Sequence, residues 1–276
     1  MLKIVIERYY LLAIGRGIEM LLRITDHCKM ACNHCFINAT PKGKHMEFST
    51  FMNSVKLANK LGAKVLLLSG GEPTDNPNFI KFLNFATLNF SGIITVISHG
   101  AYIEDKELCD KYFGDFPKVQ YQITNDKRYY PKRLNRIRAG NVERKYKNVM
   151  FCWEIGGEIF PQGRARKHMK ITEINAKVLG PRCFNLRSFI HHPMIPDISH
   201  AIQQLEKAGK FCTPSVNING SIAMGESNQC QETMNIKDSI FDLTEKVKNS
   251  NCNDCGMLSK LSETHHRAIN FKCEGV

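Results

Sequence analysis

The chain has 276 residues, of which 43% are hydrophobic and 23% charged, with 11 cysteines and a formal net charge of +12. That length allows one broad domain, or one domain with a small appendage. There is no uninterrupted apolar run long enough to span a bilayer and no cleavable apolar N-terminus, which speaks against a membrane protein and predicts a cytoplasmic one. A reducing cytosol keeps thiols free, so metal or redox chemistry is the expected use of so many cysteines.

Residues 1–18 read as an N-terminal extension, too short for a separate peptide-recognition domain. Residues 19–25, EMLLRIT, form the first of five short runs rich in Val, Ile and Leu; the others are 63–69, 92–98, 118–124 and 148–155. Each predicts a strand. Directly after the first run, CKMACNHC carries Cys28, Cys32 and Cys35. A closed structural zinc site needs four protein ligands, and His27, His34 or a distant cysteine could supply the fourth. An iron–sulfur cubane on three thiolates instead leaves one iron open to a substrate or cofactor. Spacing alone leaves both open.

Residues 49–61 have helical spacing, with Phe51, Val55, Ala58 and Leu61 on one side and Ser49 as the expected N-cap. The second strand run ends in SGGEPTDNP. Gly70 and Gly71 let backbone come close to a ligand, and Glu72, followed by Pro73, can receive a ligand ammonium. A tight strand-to-helix turn would use the same residues. Residues 77–88 and 104–112 also read as helices. The third strand run ends in Ser98-His99-Gly100, and the fourth ends at Thr124 and Asn125.

Between residues 127 and 147 there are nine Lys or Arg and one acid, Glu143, so this stretch carries +8 of the +12. With Tyr129, Tyr130 and Tyr146 it has the composition of a phosphate-contacting, base-stacking surface, or of a solvated helix and loop. In the fifth run, alternation puts Met150, Cys152 and Glu154 on one face and Val149, Phe151 and Trp153 on the other. If the bulky face meets the helices, Cys152 and Glu154 point inward, and Gln120, Gln122 and Thr124 share the matching face next door. Cys152 then fills core or donates a hydrogen atom to a substrate, and Glu154 is a candidate base. Cys109 sits in a predicted helix, where an inert buried thiol is expected.

Strand–helix alternation over residues 19–155 predicts an α/β domain with parallel strands, as an open sheet or a barrel. Beyond residue 180 the chain turns to Cys-, Asn- and Gly-rich turns and a helix at about 236–248, so a boundary is expected there. Cys212, Cys230, Cys252 and Cys255 make a second constellation, suited to structural zinc or an iron–sulfur cluster.

Taken together, these motifs resemble the radical S-adenosylmethionine (SAM) superfamily. The resemblance rests on Cys28, Cys32 and Cys35 in C-x3-C-x2-C and on Gly70-Gly71-Glu72-Pro73 ending the second strand. It covers residues 19–170, and the barrel domain is expected over 19–180. It implies a partial TIM-type barrel of five or six parallel strands, a [4Fe–4S] cluster on the three cysteines, and SAM on the open iron. In that family an electron, from a donor such as flavodoxin or ferredoxin, cleaves SAM to a 5′-deoxyadenosyl radical that removes a substrate hydrogen.

By the same resemblance, the residue before the third cysteine packs near the adenine; here it is His34, which can still stack, with Phe36 beside it. Ser98 is the candidate ribose contact, and Thr124 and Asn125 lie where ribose or carboxylate is met. PQGRAR resembles a Pro-x-Gly-Arg-Ala segment, which makes Arg164 a fork for the methionine carboxylate. The second cysteine set, with Gly225 before Cys230, resembles the twitch auxiliary-cluster fold over residues 181–276. The SPASM continuation is absent, since Leu261 stands where its cysteine would, so one auxiliary [4Fe–4S] cluster held by Cys212, Cys230, Cys252 and Cys255 is implied; whether Cys183, ahead of them, replaces one of these ligands is left open by the sequence. Similar enzymes modify ribosomal peptides, by cross-linking, oxidation or epimerisation, or act on carbohydrate-like small molecules such as aminocyclitols. A peptide substrate is the first expectation, and an RNA-acting enzyme or a nucleic-acid-binding protein the alternative from another class.

Overall fold

A computed structural model describes residues 19–35, 37–154, 163–165, 214–223 and 232–243. Five strands, β1 (Glu19–Thr25), β2 (Val65–Gly70), β3 (Ile93–Ser98), β4 (Val119–Thr124) and β5 (Val149–Cys152), lie parallel in sequence order. The helices α1 (Phe48–Lys60), α2 (Phe79–Asn89), the short α3 (Lys106–Cys109) and α4 (Arg136–Lys145) connect them. Three further strands, β6 (Ser215–Val216), β7 (Ser221–Ala223) and β8 (Glu232–Asn235), join on the other side of β1. The order is β5-β4-β3-β2-β1-β6-β7-β8; β6 runs parallel to β1, and β7 and β8 are antiparallel. This is a parallel-dominated, unclosed sheet of the partial-barrel kind. The described strands beyond residue 180 extend that sheet; the parts of 181–276 between and after them lie outside the described residues.

Strand alternation sorts the side chains. Met20, Leu22, Ile24, Leu66, Leu68, Ile94, Val96, Val119, Tyr121, Ile123, Val149 and Phe151 share one core with Phe51, Val55 and Ala58 of α1 and Phe79, Phe82, Leu83 and Ala86 of α2. Phe51 and Phe82 stack at 4.2 Å and fasten the two helices to each other. The opposite face of β4 and β5 is half-buried and polar: Gln120, Gln122, Thr124, Met150 and Cys152. Cys109 is the buried thiol expected of it. Burial pushes its pKa up to about 11, and its sulfur contacts the Ile103 carbonyl at 3.5 Å.

Two expectations shift. Ser49 is not the cap of α1: the N-cap is Glu47, without a side-chain hydrogen bond, and Ser49 falls inside the first turn. The helix expected from 236 begins only at 240, because Asn235 and Asp238 form a turn in which the Asp238 carboxylate accepts from Asn235 N–H at 2.9 Å. Residues 244–248 lie outside the described residues.

In a parallel sheet every strand ends at the same edge, and the loops there build the site. Here those loops are residues 26–40, 71–75, 99–100, 125–135 and 153–154.

Candidate active site

The loop after β1 folds back on itself. Cys28 N–H donates to the Thr40 carbonyl at 3.0 Å, and Cys35 N–H to the Cys32 carbonyl at 3.2 Å. Ala31 and Asn38 take positive φ, 55° and 57°, a left-handed conformation that Asn tolerates and that strains Ala. Cys28 and Cys32 are buried, Cys35 half-buried, and all three are free thiols. They share a small cluster with Met30, Ala39 and Tyr130. Burial and the neighbouring thiols push the Cys32 pKa up to about 12, against the pull of the Arg164 guanidinium.

The donor set fits an iron–sulfur cluster. Backbone N–H groups already point at two sulfurs: Met30 N–H at Cys28 Sγ, 3.4 Å, and Ala39 N–H at Cys35 Sγ, 3.3 Å. Such bonds favour thiolates and help set a cluster's potential. Among the described residues no three His, Cys, Asp or Glu side chains gather tightly enough for a single metal ion. A cubane takes each thiolate on a different iron.

The glycines after β2 serve the chain's own backbone. A Cβ on Gly70 would meet the Thr25 carbonyl oxygen at 2.1 Å, and one on Gly71 the His27 carbonyl oxygen at 2.1 Å. Gly71 and Glu72 N–H groups donate to those same carbonyls at 2.6 and 2.8 Å, so the turn is sewn onto the thiol loop. The close approach that these glycines allow is between two backbone segments of the chain itself.

Glu72 is 1% exposed. Its Oε1 accepts from Thr74 N–H (3.2 Å), Thr74 Oγ1 (2.7 Å) and Ser98 Oγ (2.9 Å). Its Oε2 accepts from His99 N–H at 2.9 Å and lies 3.3 Å from His99 Nε2. Because His99 Nδ1 accepts from Ala101 N–H at 3.0 Å, the ring proton belongs on Nε2, facing Glu72. Gly100 N–H in turn donates to Ser98 Oγ at 2.9 Å. The Ser-His-Gly turn is thus organised around the carboxylate. Pro73 opens the short turn Pro73–Asp75, beside the His27–Asp75 contact of 2.9 Å.

The other candidates are also engaged. Asn125 is 4% exposed; its amide donates to the Lys132 carbonyl at 3.0 Å and accepts from Leu134 N–H at 3.1 Å, bracing the loop after β4. Thr124 is half-buried and bonds the Tyr130 hydroxyl. His34 lies against Tyr129 and Tyr130, with ring centroids 5.2 and 4.8 Å away and the rings tilted by 42° and 48°, and desolvation lowers its pKa to about 4. Phe36 lies outside the described residues. Arg164 reaches the thiol loop, donating to the Cys32 carbonyl at 2.9 Å and to the Ala39 carbonyl.

Cys152 pairs with Thr124 across the β4–β5 ladder, and Gln122 hydrogen-bonds its thiol; burial raises its pKa. Glu154 differs from the strand expectation: β5 ends at Cys152, so alternation no longer aims Glu154 inward, and it is exposed. Sequence reasoning missed Asp126, which is 1% exposed and accepts from the Arg128 guanidinium at 3.0 and 3.1 Å. The Asp-x-Arg spacing was the available signal. Cys212, Cys230, Cys252 and Cys255, with Cys183, lie outside the described residues.

The Radical SAM superfamily matches residues 22–159, half of the chain, and the protein belongs to it. Members of that family use a [4Fe–4S] cluster and S-adenosylmethionine, and the protein is a radical SAM enzyme. Among solved structures, BtrN in complex with AdoMet and 2-DOIA shares the fold with a TM-score of 0.52 at 10% identity, over 85% of this chain and 88% of that one. The native anSMEcpe structure with bound AdoMet and Cp18Cys peptide gives 0.49 at 13% identity, covering 84% and 82%. Streptococcus suis SuiB bound to precursor peptide SuiA gives 0.42 at 13%, covering 88% and 67%. No curated protein matches the sequence.

Proposed function

We propose that Cys28, Cys32 and Cys35 hold the SAM-binding [4Fe–4S] cluster and that the enzyme removes a hydrogen atom from an acidic peptide, leading to cross-linking, oxidation or epimerisation. The observation that carries the cluster is the three-thiol loop, with Cys28 and Cys32 buried and backbone N–H groups on the sulfurs of Cys28 and Cys35. When bound, cluster and SAM supply one-electron reductive cleavage and a carbon-centred oxidant; a flavodoxin- or ferredoxin-type donor supplies the electron. The protein's own part is to bury the thiols, to tie the ends of β1, β2 and β3 together through Glu72, and to offer the inner face of β4 and β5 to the substrate.

The peptide is supported by exposed cations on the loop after β4, Lys127, Lys132 and Arg133, at the edge where the site lies. A second reading is a polar small molecule of the carbohydrate or aminocyclitol kind. It is favoured by the polar inner face of Gln120, Gln122 and Thr124, and BtrN, which shares the fold, was crystallised with AdoMet and 2-DOIA. The nucleic-acid alternative loses its aromatic support: Tyr130 and Tyr146 are buried, and Tyr129 packs on His34.

Cys212, Cys230, Cys252 and Cys255 are our candidates for one auxiliary [4Fe–4S] cluster. Anaerobic reconstitution with SAM and dithionite tests the whole reading. About eight irons per chain and 5′-deoxyadenosine are expected, with about four irons after replacing Cys28, Cys32 and Cys35 by Ala. Zinc after anaerobic purification would remove the auxiliary cluster, and no 5′-deoxyadenosine would remove the proposed site.

A further inference from the structure

Residues 163–165 return to the thiol loop from more than 120 positions further along the chain. Arg164 N–H donates to the Cys35 carbonyl at 2.8 Å and Ala165 N–H to the same oxygen at 3.3 Å. Gly163, at φ 53°, makes the turn that aims both amides one way. The guanidinium closes the other side, Nη1 on the Cys32 carbonyl at 2.9 Å and Nη2 on the Ala39 carbonyl. Three carbonyls of the half-loop that carries the second and third thiols are thus gathered on one residue. Ala39 is also the residue whose N–H reaches Cys35 Sγ.

A fork whose two terminal nitrogens each spend an N–H on a backbone carbonyl is held in place by the thiol loop. A lysine, a single point charge, could not span both carbonyls. We infer that Arg164 is a positioning residue for the cluster: it sets the shape of Cys32–Ala39 so that two thiolates face the iron, and it fixes a positive charge beside them. That charge stabilises the more negative, reduced state of the cluster. The inference rests on the cluster reading proposed above.

The test compares Arg164→Gln and Arg164→Lys with wild type after anaerobic reconstitution. The quantities are iron in excess of the protein lacking Cys28, Cys32 and Cys35, the cluster's midpoint potential by EPR titration, and SAM affinity per loaded cluster. Arg164→Gln should lose at least half of the excess iron, shift the remaining cluster to a more negative potential, and keep SAM affinity within about twofold. Arg164→Lys should load poorly too but hold a potential near wild type, because it keeps the charge without the fork. It carries the test alone if Arg164→Gln does not fold. Full iron loading with an unshifted potential and at least tenfold weaker SAM binding would overturn the inference and return Arg164 to the methionine carboxylate. A wild-type protein with no excess iron would defeat the cluster reading itself, a result distinct from either.

Discussion

At the scale of single residues, Glu72 decides most. A carboxylate offers about four acceptor sites, and this one is already met by Thr74, Ser98 and His99 inside a buried pocket. A SAM ammonium would have to displace one of these donors, so we expect Glu72 to act first as the common anchor of the loops after β2 and β3. Glu72→Gln puts an amide N–H against donors that need an acceptor. It should lower apoprotein stability by roughly 2–4 kcal/mol, since hydrogen bonds to a charged group are worth more than neutral ones and orphaned donors add to the loss. SAM affinity should fall with it. Urea unfolding of the apoprotein beside SAM binding separates the roles: unchanged stability with tenfold weaker SAM would make Glu72 a direct ligand.

At the scale of elements, β1 matches the expected run residue for residue, and β3 and β4 begin one residue inside theirs. Period-two burial is local information, so the sequence carries it. Contacts between distant segments are not local: nothing near Arg164 announces the Cys32 and Ala39 carbonyls, and nothing near Gly71 announces that β1 passes beneath it. Glu154 marks the limit of the local rule, because alternation holds only while the strand does. Cys152 lies within that limit. Its thiol is kept protonated by burial and held by Gln122, the state a hydrogen-atom donor needs. Cys152→Ala should stall net product while 5′-deoxyadenosine still forms, and solvent deuterium should enter the wild-type product. Full activity without deuterium uptake would make the thiol a core residue. A product short of a hydrogen pair, with Glu154→Gln inactive, would assign oxidation instead.

At the scale of the molecule, the fold divides the basic stretch that looked continuous in sequence. Helix α4 runs back from the end of β4 to the start of β5, so residues 127–136 lie at the site edge and residues 144–147 at the opposite one. Of the far cations, Lys145 is structural: its Nζ pairs with Asp110 at 2.6 Å, and Asp110, also met by Lys106 at 2.7 Å and by the Tyr146 hydroxyl, is held well below the usual carboxylate range by these bonds. On the near side, Arg128 serves Asp126, Arg136 lies over Trp153 at 4.9 Å, and Arg138 bonds the Ile103 carbonyl at 3.0 Å. That leaves Lys127, Lys132 and Arg133, all exposed, to meet an anionic substrate. Reversing these three to Glu should lower kcat/KM for an acidic substrate at least tenfold while sparing SAM cleavage without substrate. Reversing Arg144 and Lys147 should change neither, because charges at the far edge lie beyond a Debye length of about 8–10 Å. Raising salt from about 50 to 300 mM should weaken substrate binding in the wild type and much less in the reversed protein. Binding that ignores both the reversal and the salt would leave these cations a solvated surface and move recognition to the inner face of β4 and β5.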